Sequence, residues 1–244
     1  MELRFHTILL VDDETLVAKY QNLVRSVFPK YSIEQGTLVD ILPNGIRQQT
    51  QKRHVFSSTD GKCSLRVTAE SLALELTAHT DRKDLLNKFT VGLNSFEQVW
   101  PAMNTTRFGI RYINQVNKTL IERDLNRVVT WSDLLHTDFL KMPAQMADLE
   151  NTVFHCEINS VATAGRLVVR YGLLPNQNTG GPDVSFKFDC DRFIDGQIEK
   201  NDLTGLAEAF VEDIYQAYSG ARGSMLIEWM ELPNQSGDEN ARDN

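Results

Sequence analysis

Residues 53–77 constrain this chain more than any other stretch. They read RHVFSST, Asp60-Gly61, KCSLRVT, Ala69-Glu70, SLALELT: three short runs divided by two-residue breaks. Cys63, Leu65 and Val67 alternate with polar neighbours, and Leu72, Leu74 and Leu76 with the small or polar Ser71, Ala73, Glu75 and Thr77, which is the period of a strand with one buried face. Asp-Gly supplies the positive φ angles of a tight hairpin turn. Parallel neighbours need a crossover of a dozen or more residues. These three runs therefore predict an antiparallel meander.

The rest of the chain repeats the theme. LRFHTILLV at 3–11 has the composition of a strand. Asp13 is placed to cap a helix carrying Leu16, Val17, Tyr20, Leu23, Val24 and Val27 up to Pro29. Residues 30–51 lack a clear period and read as a long connection. A helix over 82–100 follows the meander, with Leu85, Leu86, Phe89, Leu93, Phe96 and Trp100 inside and Pro101 as its end. A second round begins with the strand TRFGIRYINQV, where Phe108, Ile110 and Tyr112 share a face. Thr130 then caps a short helix over 131–141. Strands follow over 152–160, 166–174 and 184–190, with PNQNTGGPD as a loop between the last two. A helix over 203–218 closes the pattern, with Gly220 as its stop. The prediction is an α+β fold of two similar strand–helix–three strands–helix halves, with mainly antiparallel sheet and helices on one face. The halves span 1–102 and 103–232, and an acidic tail over 233–244 has nothing apolar to bury.

ILLVDDE at 8–14 invites another reading, because a strand ending in paired acids opens phosphate-accepting receiver domains. Such a domain needs a parallel sheet of alternating strands and helices, and the meander forbids one. Asp40 follows Asp13 too closely to end a third parallel strand, and Lys141 sits before Pro143 at a helix end. Asp12, Asp13 and Glu14 are read instead as helix-capping acids.

Composition narrows the function. The 244 residues carry 25 Lys plus Arg against 33 Asp plus Glu, a net charge of −8. That field repels a phosphate backbone, so nucleic-acid binding through Arg47, Lys52 and Arg53 is disfavoured. Glu2, Arg4 and His6 interrupt any secretory apolar core, and no run is long enough for a membrane helix. Cys63, Cys156 and Cys190 are scattered and odd in number, so no disulfide framework is expected and the cytoplasm is the default compartment. Phosphate-binding glycine loops and nucleophile elbows are absent, and the five histidines show no paired ligand spacing. No cofactor, metal or catalytic set is expected.

Three stretches carry a resemblance. TRFGIRYIN at 106–114, VSFKFDCDRF at 184–193 and LAEAFVEDIYQAYSGARGSMLIEWM at 206–230 are similar to a sporadically distributed bacterial family of uncharacterised proteins of about this length. That family carries a GLRYIN-like strand after a long helix and a C-terminal amphipathic helix. The resemblance implies no established activity. Its scattered occurrence is similar to that of accessory genes for defence, toxin–antitoxin or immunity roles. This chain departs from the pattern at its acid-rich N-terminus.

Two groups of residues are candidates for function. Arg107 and Arg111 share one strand face and Asp189 and Asp191 another, two residues being about 6.5–7 Å apart along a strand. If the faces meet, they form an ion network; if not, the arginines form an anion site. Met225, Leu226, Ile227, Trp229 and Met230 either complete the core or build an interface, with another protein or as a homodimer. The leading expectation is a non-enzymatic regulatory protein that binds another protein, such as a neighbouring gene product, in the manner of an antitoxin or immunity factor. The alternative is a sensor of a small anion or nucleotide, or an enzyme, using the polar sheet face. Treating the protein with a small phosphodonor and Mg²⁺ should leave its intact mass unchanged. A stable adduct lost in Asp13→Asn would overturn the antiparallel reading.

Overall fold

The computed structural model describes residues 1–42, 45–77, 81–101, 104–146, 148–149, 152–175 and 184–232, without the side chains of 37–50, 142, 146, 200 and 201. The expected tail at 233–244 lies outside the described residues. Its strands are β1 (Glu2–Phe5), β2 (Lys30–Leu42), β3 (Gly45–Ser57), β4 (Cys63–Thr68), β5 (Ser71–Leu76), β6 (Thr105–Asn117), β7 (Phe154–Val161), β8 (Arg166–Pro175) and β9 (Val184–Asp195). Its helices are α1 (Glu14–Val24), α2 (Arg82–Val99), α3 (Lys118–Leu125), α4 (Trp131–Leu134), α5 (Thr137–Met146), α6 (Lys200–Ala221) and α7 (Ser224–Met230). The strands hydrogen-bond in the order β2-β3-β4-β5-β1-β6-β9-β8-β7. This is the expected α+β fold with antiparallel sheet.

Contacts divide the chain into one unit of Met1–Gly109 with Ile194–Glu208 and another of Ile110–Phe193 with Ala209–Asn244. The expected division at 102/103 precedes β6, whereas β6, β9 and α6 each contribute to both units. Outward from β1 the strand order is β5-β4-β3, and outward from β6 it is β9-β8-β7. The two halves therefore share one connectivity, with β2 added to the first.

In the first unit, β1 alternates buried Leu3 and Phe5 with exposed Arg4. It ends at Phe5 rather than running to Val11, because its partner β5 begins only at Ser71. Beyond that point the turn takes over: Phe5 N–H donates to Glu70 O and Ile8 N–H to Ala69 O. Leu9–Asp12 is a 3₁₀ turn that buries Val11 and leaves Leu9 86% and Leu10 61% exposed. Asp13 caps α1 as expected, accepting from Thr15 N and Leu16 N at 2.9 and 3.1 Å. Val17, Tyr20 and Val24 are the buried stripe. The Tyr20 hydroxyl donates to Gly92 O of α2 at 3.2 Å, and burial pushes its phenol far above the ordinary range.

The largest correction concerns 30–51. It is not a connection but β2 and most of β3, thirteen residues each, paired from Lys30↔Ser57 to Leu42↔Gly45. Backbone pairing along the whole hairpin replaces the apolar alternation that the sequence lacks. The β3–β4 turn is also looser than a two-residue hairpin. Gly61 takes a φ of 76°, while the Asp60 carboxylate accepts from the Ser58 hydroxyl and Lys62 N–H.

The second unit buries Phe186, Phe188 and Cys190 of β9 beneath α5 and α6. Phe139 of α5 lies 6.0 Å and Tyr218 of α6 5.6 Å from the Phe188 ring. α3 was not anticipated. Asn117 caps it through Leu120 N–H, and Asn126 closes it in the left-handed region at φ 51°. The helix expected over 131–141 is two helices, α4 and α5, with a capping box at Thr130 and Asp133. Gly220 stops nothing, because α6 continues to Ala221. The glycine that matters is Gly223, where an added Cβ would lie 2.5 Å from Asp133 O.

Gly172 of β8 is tighter still, since a Cβ there would meet Phe154 O of β7 at 2.0 Å. Gly172→Ala should lower stability by about 1–3 kcal/mol, the usual cost of overpacking, with a matching fall in Tm. A neutral result would mean that β7 sits farther from β8 than described.

Candidate functional site

The polar sheet face brings part of the expected set together. In the second unit, Arg111 of β6 grips Asp189 of β9 with both arms of its fork, Nε to Oδ1 at 2.8 Å and Nη2 to Oδ2 at 2.5 Å. Phe108 and Ile110 occupy the opposite face of β6, and Phe188 and Cys190 that of β9. The Asp189 side chain is 5% exposed, whereas that of Arg111 is 53% exposed. Hydrogen bonding to Asp189 raises Arg111 above its ordinary range against the effect of burial, and the charges of Asp189 and Asp191 add to the rise. Arg170 of β8 stands opposite Asp189 and donates to Glu157 of β7 at 2.7 Å, itself opposite Arg170. The face thus carries a row of alternating charges: Arg111, Asp189, Arg170, Glu157.

Arg107 does not join this row. In the first unit it donates to Asp195, at the end of β9, at 3.2 Å, a partner that spacing alone did not reveal. Beside that pair, His6, Asn104, Thr105, Thr106, Gly196 and Gln197 line an open cleft of about 470 Å³. Thr105 fixes its wall, its hydroxyl donating to Ile198 O at 2.8 Å and accepting from Ile198 N at 2.7 Å. Gly196 adopts a φ of 119° there and donates to Thr106 O.

The acid cluster has a second use that sequence reasoning missed. Only Asp13 caps α1; Asp12 instead meets His54 Nε2 at 3.0 Å. The other ring nitrogen, Nδ1, lies 2.9 Å from the Tyr31 hydroxyl. With the Asp12 carboxylate accepting from Nε2–H, Nδ1 is left to accept from Tyr31. His54 is 2% exposed, and a buried imidazole needs both nitrogens satisfied. Burial, then the charges of Glu14 and Asp12, raise the Tyr31 phenol. The chain of bonds fastens the 3₁₀ turn onto β2 and β3. A signal existed: His54 lies in phase with buried Phe56 on β3.

Lys52 lies 3.6 Å from Asp12 and Arg53 3.9 Å from Glu34, so both basic candidates face acids. The Arg47 side chain lies outside the described ones, as does that of Asp40, which stands within β2. Among the described residues no three His, Cys, Asp or Glu side chains are grouped to hold a metal ion. Burial pushes the Cys63 thiol up to about 11 and that of Cys190 to about 12.

The C-terminal candidates divide. Leu226 and Trp229 are buried at 1% and 5% exposure, and the Trp229 indole donates to Asp124 of α3 at 3.0 Å. Ile227 and Met230 face outward at 38% and 41%, and Met225 is half-buried. Trp229 therefore ties α7 to α3, and the exposed apolar surface of α7 belongs to Ile227 and Met230.

Arg111→Gln should cost about 2–3 kcal/mol in denaturant unfolding, because it strands a buried carboxylate. Arg107→Gln should cost at most about 1 kcal/mol, since its partner is solvated. Equal losses would overturn the distinction between the two pairs. No protein-family model, curated protein or solved structure matches this chain.

Proposed function

We propose that this chain is a regulatory protein that acts by binding another protein, rather than by catalysis. The observation that carries the reading is the pairing of Arg107, Arg111 and Arg170 with Asp195, Asp189 and Glu157. An incoming phosphate must displace Asp189 from the two-armed grip of Arg111, and at Arg107 and Arg170 it competes with a carboxylate that is already bonded. A protein surface needs no such exchange. It uses shape, hydrogen bonds and exposed apolar side chains, and Ile113, two residues beyond Arg111 on the same side of β6, is 46% exposed.

The net charge of −8 favours a basic partner, steering the encounter and disfavouring acidic competitors. A toxin or nuclease held inactive by such a protein fits that chemistry, as does the product of a neighbouring gene. No helix among the described residues is long and apolar enough to cross a membrane. Three free cysteines suit action in the reducing cytoplasm.

Co-expression of the tagged chain with its neighbouring gene products, followed by native mass spectrometry, tests the reading. The expected result is a complex of fixed stoichiometry whose Kd rises about tenfold or more in Ile113→Asp, or roughly 1.4 kcal/mol, with Tm unchanged. The small-ligand alternative predicts the opposite pattern. No complex forms, and inorganic phosphate or a nucleotide raises the Tm of the native chain but not of Arg111→Gln. That outcome would overturn the protein-binding reading.

A further inference from the structure

β7 is the last strand in the sheet order and, among the described residues, pairs with β8 alone. Edge strands are usually blunted by lysine, proline, bulges or brevity, because their free N–H and C=O groups template another strand. β7 has none of these devices. Its sequence, FHCEINSV, holds no lysine or proline, and its register with β8 runs unbroken from Phe154↔Leu173 to Val161↔Arg166. Residues 157–161 are exposed on both faces, with Ile158 at 50% and Val161 at 83%. A row of outward backbone donors and acceptors takes an extended strand, not a helix or a small molecule.

Charge identifies the strand. The sole acid of β7, Glu157, is neutralised within the chain by Arg170 at 2.7 Å. A basic foreign strand therefore finds no free counter-charge on β7, while a second copy meets no net like charge there despite the total of −8. We propose that two copies of this chain associate through antiparallel β7–β7 pairing, with Ile158 opposite Ile158 on the two-fold axis. A two-fold normal to the sheet keeps faces together, so directly opposed residues must lie on the same face. Centring on Glu157 sets two carboxylates opposite each other, which is destabilising. Centring on Ile158 matches the two isoleucines and sets Glu157 against Asn159, His155 against Val161 and Cys156 against Ser160. An eight-residue strand is about 27 Å long, which places the contact at the low end of specific interfaces, below about 1,200 Å². The dimer is therefore reversible and concentration-dependent. This inference does not rest on the hetero-partner reading, whose test uses Ile113 of β6.

Two experiments on the full chain test it. Sedimentation equilibrium should show the mass rising from one chain to two with concentration. Ile158→Lys, at a half-exposed position, should keep the native circular dichroism and Tm yet remain monomeric. In a Cys156→Ser background, mild oxidation should cross-link Ile158→Cys into a covalent dimer about tenfold faster than Glu157→Cys, because only the former sets two Cβ atoms near disulfide distance. Cys63 and Cys190 are buried and do not compete. A monomer up to about 1 mM, a concentration at which even a millimolar Kd leaves a large dimer fraction, would overturn the proposal. So would a dimer that survives Ile158→Lys, or equal cross-linking at 157 and 158.

Discussion

Strand β1 is the constraint on which the first unit depends. It is four residues long, yet it is hydrogen-bonded on both sides, to β5 and to β6. Pairing on both edges satisfies its backbone groups without water, which lets Leu3 and Phe5 reach 0% and 3% exposure. The Met1 ammonium extends the same pairing by donating to Leu74 O at 2.8 Å. Phe5 then meets Phe96 of α2 at 5.1 Å, and Tyr20 of α1 meets Phe96 and Phe56. The helices settle where those rings allow, and the 3₁₀ turn follows from where β1 must end.

Charge does structural work in the second unit. Asp189 and Arg192 are almost fully buried ions on opposite faces of β9, at 4% and 3% exposure. Arg111 satisfies the first. Asp213, several backbone carbonyls and the Phe210 ring, 4.2 Å away, satisfy the second. Burying an ion without partners costs several kcal/mol, so each partner fixes register as much as it adds stability. Arg192 locks α6 to β9 and to the carbonyls of Ala164 and Arg166. Arg111 and Arg192 thus belong to the scaffold, each held by a carboxylate of a neighbouring element.

Legibility in the sequence tracked how much each element depends on its own side chains. The 53–77 meander, α2 and α6 were readable because each buries a face at a fixed period: Leu65 and Val67, Leu72 and Leu74, Phe89, Leu93 and Phe96, Phe210 and Ile214. The β2–β3 hairpin was not, because its pairing is a backbone ladder with little apolar alternation of its own. Lone side chains that pair across distant segments were equally hidden. Asp195 holds Arg107, Asp12 holds His54, and Asp124 receives Trp229, across separations of 88, 42 and 105 residues.

The sequence by itself determined the class of fold. Local spacing and turn residues state which stretches bury one face, and two-residue breaks between strands force antiparallel neighbours. It also determined the sign of the long-range field, since net charge needs no structure. Only the tertiary structure decided which carboxylates Arg107, Arg111 and Arg170 receive, that Trp229 turns inward while Ile227 and Met230 turn outward, and that among the described residues β7 pairs with β8 alone. Those outcomes depend on strand order and helix placement. They are set by which apolar faces cover one another over the whole chain, and no local pattern carries that information.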